Sequence, residues 1–294
     1  MLTYSISVAS LMLIYVLLCI SFDLLAGDLR LMSLATPALA GIGAYVAAHA
    51  EVTWALPDLA SLVLAVAAAM LGGLVVAVIS MRVSGDYFLL VTMSVGLIAF
   101  TGFNQFRSVT GGPSGFPGVQ PMKVPGVSAA AGGLIVAAVL VVIVAVAVTA
   151  LRRSRIGRRW RALGEDRLAA MNVGIDPRRE LLRAVLLSSA IAGIAGFLHA
   201  RIVGVVDPSP FSLQVAILVL AIAVAGGSGT VAGCFAGAAI GIVLPEALRF
   251  LPFRELAAHQ SAVRNVVFGL LLVVVLAQRP HGLFGRRAAT GEQA

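Results

Sequence analysis

A polar segment from Leu151 to Leu182, set between two long apolar runs, holds most of the groups that could do chemistry. It carries nine arginines and four carboxylates: Arg152, Arg153, Arg155, Arg158, Arg159, Arg161, Arg167, Arg178, Arg179, Glu165, Asp166, Asp176 and Glu180. Such groups form ion pairs and charge-assisted hydrogen bonds with protein or lipid partners. In a chain that is otherwise very apolar, this is the place where a soluble partner could bind.

Residue patterns typical of enzymes do not occur in the sequence. There is no G-x-x-x-x-G-K-[ST] phosphate loop, so the chain cannot hydrolyse ATP by that route. There is no His/Cys/Asp metal constellation and no Ser/His/Asp arrangement, and Cys19 and Cys234 lie singly in apolar runs. We predict a protein that is not an enzyme and that uses neither a cofactor nor a metal ion. If it transports actively, the energy enters from another subunit.

The composition predicts a membrane protein. Of 294 residues, 60% are hydrophobic and 12% are charged, with a mean hydropathy of +1.02, whereas soluble domains carry about 25% charged residues. We expect an all-α polytopic transmembrane bundle of eight to nine spans in one membrane-embedded domain, residues 1–294. The candidates are Tyr4–Phe22, Leu31–His49, Leu59–Met81, Tyr87–Phe106, Ala129–Leu151, Leu181–Ala200, Leu213–Ala225, Thr230–Phe250 and Ala262–Gln278. Pro37, Gly41 and Gly43 predict that the second is bent or partly re-entrant.

The distribution of basic residues predicts the orientation. With nine crossings, fifteen of the 21 basic residues fall on one side and six on the other. The positive-inside rule then places residues 152–180 and the C-terminus in the cytoplasm. A high net charge of +8 could suggest nucleic acid, but the arginines lie between apolar runs, so we expect membrane lipid and no nucleic acid as a partner.

Other ionisable residues fall near the predicted ends of spans, which weakens a secondary-transporter interpretation. They are Asp23, Asp28, Asp86, His199, Arg201, Glu246 and Arg249. Inside the fourth span, Thr92 and Ser94 could face a substrate path, or each hydroxyl could bond back to its own helix. Asp86 and Tyr87 stand at the start of that span, where a carboxylate favours a helix N-terminus.

Within the basic loop, Arg161 to Ile175 is predicted to form a short helix. Leu168, Met171 and Ile175 would share one apolar face, beside Glu165, Asp166 and Arg167. Gly174 is a C-terminal stop, and Asp176-Pro177 begins the next helix. The apolar face could dock into a groove of a soluble partner or rest on lipid headgroups.

Two glycine-rich patterns follow from spacing. Gly229, Gly233, Gly237 and Gly241 recur every four residues and predict a stripe for close helix packing, either static or moving. The run TGGPSGFPGVQPMKVPG, within Arg107 to Ser128, forbids a continuous helix and predicts a structured extracytoplasmic loop.

These pieces, in order, resemble the permease subunits of branched-chain amino acid ABC importers, the LivM-like family. The similar pieces are GIGAYVAA, SGDYFLLVTMSVG, TGGPSGFPG, RALGEDRLAAMNVGI, AGIAGFLHARIVGVVDPSPF, AGGSGTVAGCFAGAAIG and the terminal RPHGLFG. The chain departs from the family before GIGAY, where Ala35 and Leu39 replace the usual glycine and phenylalanine. That departure leaves the substrate open, since related permeases carry urea or short amides.

The resemblance implies a bacterial inner-membrane permease that moves branched-chain or related neutral amino acids. Its partners would be a second homologous permease, two cytoplasmic ATP-binding subunits and an extracytoplasmic solute-binding protein. The similar loop implies ATPase coupling through residues that we expect to act together: Arg161, Glu165, Asp166, Leu168, Ala170, Met171 and Gly174. The alternatives are a passive channel for a small neutral solute such as urea or a short amide, and an assembly factor without a pore.

Overall fold

The computed structural model describes residues 2–243 except 84, 86 and 123–127. The helices are α1 (Leu2–Ala26), α2 (Thr36–Val52), α3 (Asp58–Ser80), α4 (Tyr87–Gln105), α5 (Arg107–Thr110), α6 (Ala129–Arg153), α7 (Arg155–Glu165), α8 (Arg167–Asn172), α9 (Pro177–Val203), α10 (Leu213–Gly226) and α11 (Val231–Ala238). The structure also contains two 3₁₀ turns (Gly112–Ser114 and Ser209–Phe211) and a π-helical turn (Ala239–Val243). It has two short strands, β1 (Phe116–Pro117) and β2 (Val205–Val206). The all-α helical bundle is confirmed.

Helix α9 lies at the centre and packs against α1, α2 and α3. Small residues make this packing close: a Cβ on Gly193 would lie 2.8 Å from Cβ of Ala69, and one on Gly43 would lie 2.9 Å from Cα of Gly193. Helix backbones that approach this closely are stabilised by van der Waals contacts between them, which small residues make possible. The glycines of α2 therefore allow close contact with α9, and α2 is one uninterrupted helix of 17 residues.

The number of spans is lower in the described residues than predicted. Five helices (α1, α3, α4, α6 and α9) are long and apolar enough to cross a membrane, and six if the bent pair of α10 and α11 counts as one. Helix α2 has 17 residues and α10 has 14, both short of the ~20 that a crossing helix needs. The span Ala262–Gln278 and the end of Thr230–Phe250 lie outside the described residues.

Helices α10 and α11 form a hairpin bent by 117°, and each is shorter than a crossing helix, so the two separate spans predicted here are not confirmed. The turn between them is the sequence GSG, in which Gly227 and Gly229 have φ of 98° and 87°. These left-handed angles are readily adopted only by glycine, which is why the chain reverses here. Thr230 then caps α11 by accepting a hydrogen bond from the Gly233 amide at 3.1 Å.

The helix ends fall into two groups. One, called here the basic end, joins the C-termini of α1 and α6, the N-terminus of α9, α7 and the tip of the α10–α11 hairpin. The opposite end joins the C-termini of α2 and α9 to the N-terminus of α3, where Arg201 pairs with Glu51 and with Asp58 (2.6 Å). Charged residues at both ends thus tie neighbouring helices together.

The glycine- and proline-rich loop at the opposite end is structured in its described part, which ends at Met122. Its strand β1 pairs antiparallel with β2, Phe116 facing Val206. The His49 ring nitrogen Nε2 lies 2.6 Å from the Val109 carbonyl oxygen, and the Gln120 amide donates to Glu51 at 3.0 Å. The loop is therefore fastened to the end of α2 and to the segment that follows α9.

Candidate functional site

The segment between α6 and α9 forms two short helices, α7 and α8, so the prediction of one helix from Arg161 to Ile175 was wrong. The break lies at Asp166, whose backbone is extended (φ −144°, ψ 107°). Its carboxylate accepts hydrogen bonds from the amides of Leu168 (2.9 Å) and Ala169 (3.0 Å). Aspartate is a strong N-cap residue, and this side chain starts a new helix instead of continuing the old one.

The predicted ends of α8 and α9 agree with the structure. Gly174 has φ of +83°, and the Ile175 amide donates to the Ala170 carbonyl at 3.1 Å, which closes α8. Asp176 caps α9 by accepting from the Arg178 amide at 2.9 Å, with Pro177 in the first turn. The connection between the long helices is residues 154–176, shorter than the predicted 152–180, because α6 continues through Arg153 and α9 begins at Pro177.

An apolar surface projects from α8. Leu168 is 74% exposed, Met171 49% and Val173 76%, and Ala170 packs inward. Ile175 is half-buried against the core, so the expected third member of the surface was wrong and Val173 takes its place. The turn at Gly174 reverses the chain and carries Ile175 inward. We call Leu168, Met171 and Val173 the α8 surface.

Helix α7, which contacts α8, is anchored to α9. Trp160 is fully buried, and its indole Nε1 donates to Glu180 Oε2 of α9 at 3.0 Å. Glu180 also accepts from Arg183 at 2.8 Å. Leu163 on the same face is buried. These contacts join α7 to the first turn of α9.

Behind α7 lies a buried ion cluster formed by Arg152 of α6 with Asp23 and Asp28. The Arg152 guanidinium donates from Nη2 to Asp23 Oδ2 and from Nε to Asp28 Oδ2, each at 2.8 Å. The side chains are 8%, 1% and 1% exposed. Burying a carboxylate without a partner costs free energy, so removal of Arg152 would leave two buried charges unpaired. We call these three residues the ion cluster.

The ion cluster contacts both α7 and the α10–α11 hairpin. Arg161 of α7 donates from Nη1 to the Arg152 carbonyl at 2.9 Å, and the same nitrogen lies 3.8 Å from Asp28 Oδ1. On the other side, Asp23 Oδ1 accepts from the Gly229 amide at 2.8 Å. One cluster thus touches α1, α6, α7 and the hairpin tip.

The four glycines predicted as one stripe do not share one helix. Gly229 lies in the turn before α11, Gly233 and Gly237 lie on α11, and Gly241 lies in the π-helical turn. A Cβ on Gly233 would lie 2.9 Å from the Gly226 carbonyl oxygen of α10, and one on Gly241 would lie 2.5 Å from the Ile222 side chain. The last three therefore pack the hairpin against itself, while Gly229 meets α1.

The residues predicted for a substrate path separate in the structure. Thr92 is buried and structural, since its Oγ1 donates to the Leu89 carbonyl (3.0 Å) and accepts from the Leu34 amide (3.1 Å). Ser94 is exposed and donates to the Leu90 carbonyl of its own helix at 2.9 Å. Tyr87 is 68% exposed. Asp86 lies outside the described residues.

Sequence reasoning treated Arg152 as one of many loop arginines and missed its partners. Asp23 and Asp28 were assigned only to the end of a span, and Trp160 and Glu180 to no contact. A signal existed: two carboxylates end one apolar run and an arginine ends another, and charges at such positions tend to pair. Among the described residues, no group of His, Cys, Asp and Glu could hold a metal ion.

Known proteins similar to this chain are transport permeases. The family described as "Branched-chain amino acid transport system / permease component" matches residues 4–276. The high-affinity branched-chain amino acid transport system permease protein LivM of Escherichia coli (strain K12) is 30% identical over 329 residues, covering 99% of this chain and 74% of the relative. LivM of Salmonella typhimurium is 30% identical over 95% of this chain and 69% of its own length. LivH of Escherichia coli (strain K12) is 32% identical over 46% of this chain and 42% of its own length. No solved structure matches.

Proposed function

The chain belongs to the branched-chain amino acid transport permease family, in which it is a LivM-like transport subunit and not an enzyme, and from this premise we propose that it serves an ABC importer. It moves branched-chain or related neutral amino acids across the bacterial inner membrane, in which it is a multi-pass protein. Separate ATPase subunits supply the energy. A solute-binding protein delivers the substrate from outside.

The observation that carries this proposal is the α8 surface. Leu168 and Val173 are each about three-quarters exposed on a segment otherwise rich in charge. Exposed apolar side chains on a rigidly held helix favour docking into a groove of a partner protein. The buried Trp160 anchors the adjoining helix α7 to α9, and a device that transmits force requires such an anchor. The proposed partner is one of two cytoplasmic ATPase subunits.

The orientation follows from the same end of the molecule. The described arginines concentrate at the basic end, so we place that end in the cytoplasm under the positive-inside rule, and Arg279, Arg286 and Arg287 of the sequence place the C-terminus there too. Glu165 and Asp166 stand exposed beside the α8 surface and offer charge to the partner. The opposite end, with its fastened loop, then faces the solute-binding protein.

A second permease is proposed because one bacterium, Escherichia coli (strain K12), has two permeases related to this chain. LivM and LivH of Escherichia coli (strain K12) carry the name of one transport system, and both resemble this chain. A heterodimer places a path between two permeases. Helix α4 suits the border of such a path, because few of its residues are buried within this chain.

The exposed face of α4 has aliphatic side chains such as Leu90 and Ile98, as α3 and α6 do, but it differs from theirs by its hydroxyls. It carries the hydroxyls of Tyr87, Ser94 and Thr101, whereas the large exposed side chains of α3 and α6 are aliphatic, such as Val63 and Val142. Aliphatic faces suit lipid, and neutral hydroxyls that can still accept hydrogen bonds suit a zwitterion with an apolar side chain. We therefore assign α4 to the path and the aliphatic faces to lipid.

Cysteine accessibility tests the path. In a background with Cys19 and Cys234 replaced, Ser94→Cys should react with a water-soluble methanethiosulfonate in the assembled importer. Val142→Cys, on the aliphatic face of α6, is the matched control and should not react. If Ser94→Cys is as inert as the control in every nucleotide state, α4 does not border the path.

Binding to the ATPase tests the coupling. The double variant Leu168→Ser, Met171→Ser should lose at least about tenfold in affinity, since exposed anchors dominate such interfaces. Met32→Ser, an exposed methionine at the same end, should bind like the parent chain. Equal binding by the double variant would contradict the α8 surface as the docking site. Leucine flux without any ATPase would instead favour a passive channel.

A further inference from the structure

The tip of the α10–α11 hairpin is attached to α1 by a narrow polar contact. The Gly229 amide donates to Asp23 Oδ1 at 2.8 Å, and a Cβ on Gly27 would lie 2.6 Å from the Gly229 nitrogen. Deeper along the same contact, the Cys234 side chain of α11 lies beside the Cys19 side chain of α1. Both thiols are buried, at 2% and 0% exposure. At the tip, one hydrogen bond and the close approach of two glycines join the elements, and below the tip α1 packs against α10 and α11 through buried side chains of the hydrophobic core.

Asp23 does not hold the hairpin alone, because Arg152 fixes its position. Arg152 bonds the other carboxylate oxygen of Asp23 and leaves Oδ1 for the Gly229 amide. The backbone carbonyl of Arg152 in turn accepts a hydrogen bond from Arg161 of α7, at 2.9 Å. A continuous chain of hydrogen bonds therefore runs from α7 through Arg152 and Asp23 to the hairpin tip.

The polar composition of the tip favours its separation from α1 over permanent attachment. A buried ion cluster often adds little stability over apolar residues of the same volume, because desolvation opposes the attraction. A polar contact, unlike an apolar core, regains hydrogen bonds to water when it opens. The π-helical turn Ala239–Val243 follows α11 directly, and such turns occur frequently at functional sites.

We propose that the α10–α11 hairpin is a gate at the basic end of the permease, latched to α1 by the Asp23–Gly229 hydrogen bond. Arg152 is the positioning residue that links this latch to α7 and thus to the docked ATPase. A shift of α7 pulls Arg161 and Arg152, reorients Asp23 and frees the hairpin tip. This proposal rests on the proposed function, because the ATPase supplies the shift.

The native Cys234 reports on the gate. With Cys19→Ala, Cys234 is left as the single cysteine of the chain, and it becomes accessible only when α11 parts from α1. The experiment reconstitutes the whole importer in proteoliposomes and treats it with N-ethylmaleimide, without nucleotide and trapped with ATP and vanadate. Labelling should differ between the two states by at least about fivefold, the low end of typical coupling between sites.

Two variants in this background should fail in opposite directions. Asp23→Asn weakens the latch, so Cys234 should label readily in both states. Arg161→Gln keeps the latch but disconnects α7, so Cys234 should stay protected in both. Arg152→Met should abolish the difference in Cys234 labelling between the two states, and Arg152→Lys, which keeps the charge, should retain part of it. Ser21→Ala, which removes a buried hydrogen bond between α1 and α9 (2.7 Å), is the control and should keep the difference.

The outcomes separate this proposal from the proposed function. Leucine uptake driven by ATP, with Cys234 equally protected in both states of the parent background, overturns the latch alone. A control Ser21→Ala that behaves like Asp23→Asn also overturns it, because any loosening of α1 would then suffice. A complex without ATP-driven uptake overturns the proposed function and the latch with it.

Discussion

Replacing Arg152 with methionine should destabilise the protein severely, because it leaves Asp23 and Asp28 buried without their partner. Both carboxylates are 1% exposed, and each loses a charge-assisted hydrogen bond of 2.8 Å. Arg161, at 3.8 Å from Asp28, is too far to replace those bonds.

The magnitude follows from the geometry. Two hydrogen bonds to charged groups contribute about 1.5–3 kcal/mol each, and breaking a buried pair by removing one partner costs about 3–5 kcal/mol. We therefore expect Arg152→Met to lower the free energy of unfolding by about 3–5 kcal/mol. The triple variant Asp23→Asn, Asp28→Asn, Arg152→Met carries no unpaired charge. It should recover most of that loss, because replacing all members of a buried cluster is often close to neutral.

The assay is equilibrium unfolding in mixed detergent micelles, followed by circular dichroism. Arg153→Met is the matched control, since Arg153 is adjacent and exposed, and it should stay within about 0.5 kcal/mol of the parent. A loss below about 1 kcal/mol for Arg152→Met would refute the reasoning, because ordinary surface pairs contribute that much. A triple variant as unstable as the single one would refute it too.

Three further predictions concern packing and hydrogen bonds. Trp160→Phe should cost about 1.5–3 kcal/mol of unfolding free energy by removing the indole hydrogen bond to a carboxylate on α9; a thermal melt within error of the parent would contradict this. Gly196→Ala should lower the unfolding midpoint because its Cβ would meet the α2 backbone, whereas Gly102→Ala meets nothing nearer than 3.7 Å and should leave it equal or higher. Thr92→Val should cost about 1–3 kcal/mol, because it leaves a buried backbone amide without its acceptor, and Ser94→Ala should be nearly neutral in the same melt; the reverse order would show that Thr92 is not structural.

The sequence was sufficient for the helical class and for the positions of the longest helices. Apolar runs of ~20 residues are a strong signal, and those of α1, α3, α4, α6 and α9 agree with it. The stop at Gly174 and the start at Asp176-Pro177 were also predictable, since both depend on local backbone preferences.

Contacts between residues far apart in the chain could not be predicted from the sequence. Asp166 was counted as a helical residue because the apolar spacing around it predicted one helix from Arg161 to Ile175, but its carboxylate caps α8 instead. The pairing of Asp23 with Arg152 joins residues 129 positions apart, and periodicity carries no information on such pairs. The four-residue glycine spacing is present, but Gly229 lies in the turn and the other three glycines lie on α11 and the π-helical turn. The position of that turn depends on how α10 folds back, which spacing does not reveal.

The central claim is that this chain is the permease subunit of an ATP-driven importer of branched-chain amino acids. The direct measurement is uptake of radiolabelled leucine into proteoliposomes that hold the chain, a homologous permease, two ATPase subunits and a solute-binding protein. We predict accumulation above the external concentration only with ATP inside, and its loss with Leu168→Ser, Met171→Ser. Leucine that merely equilibrates, at the same rate with and without ATP, would contradict the claim.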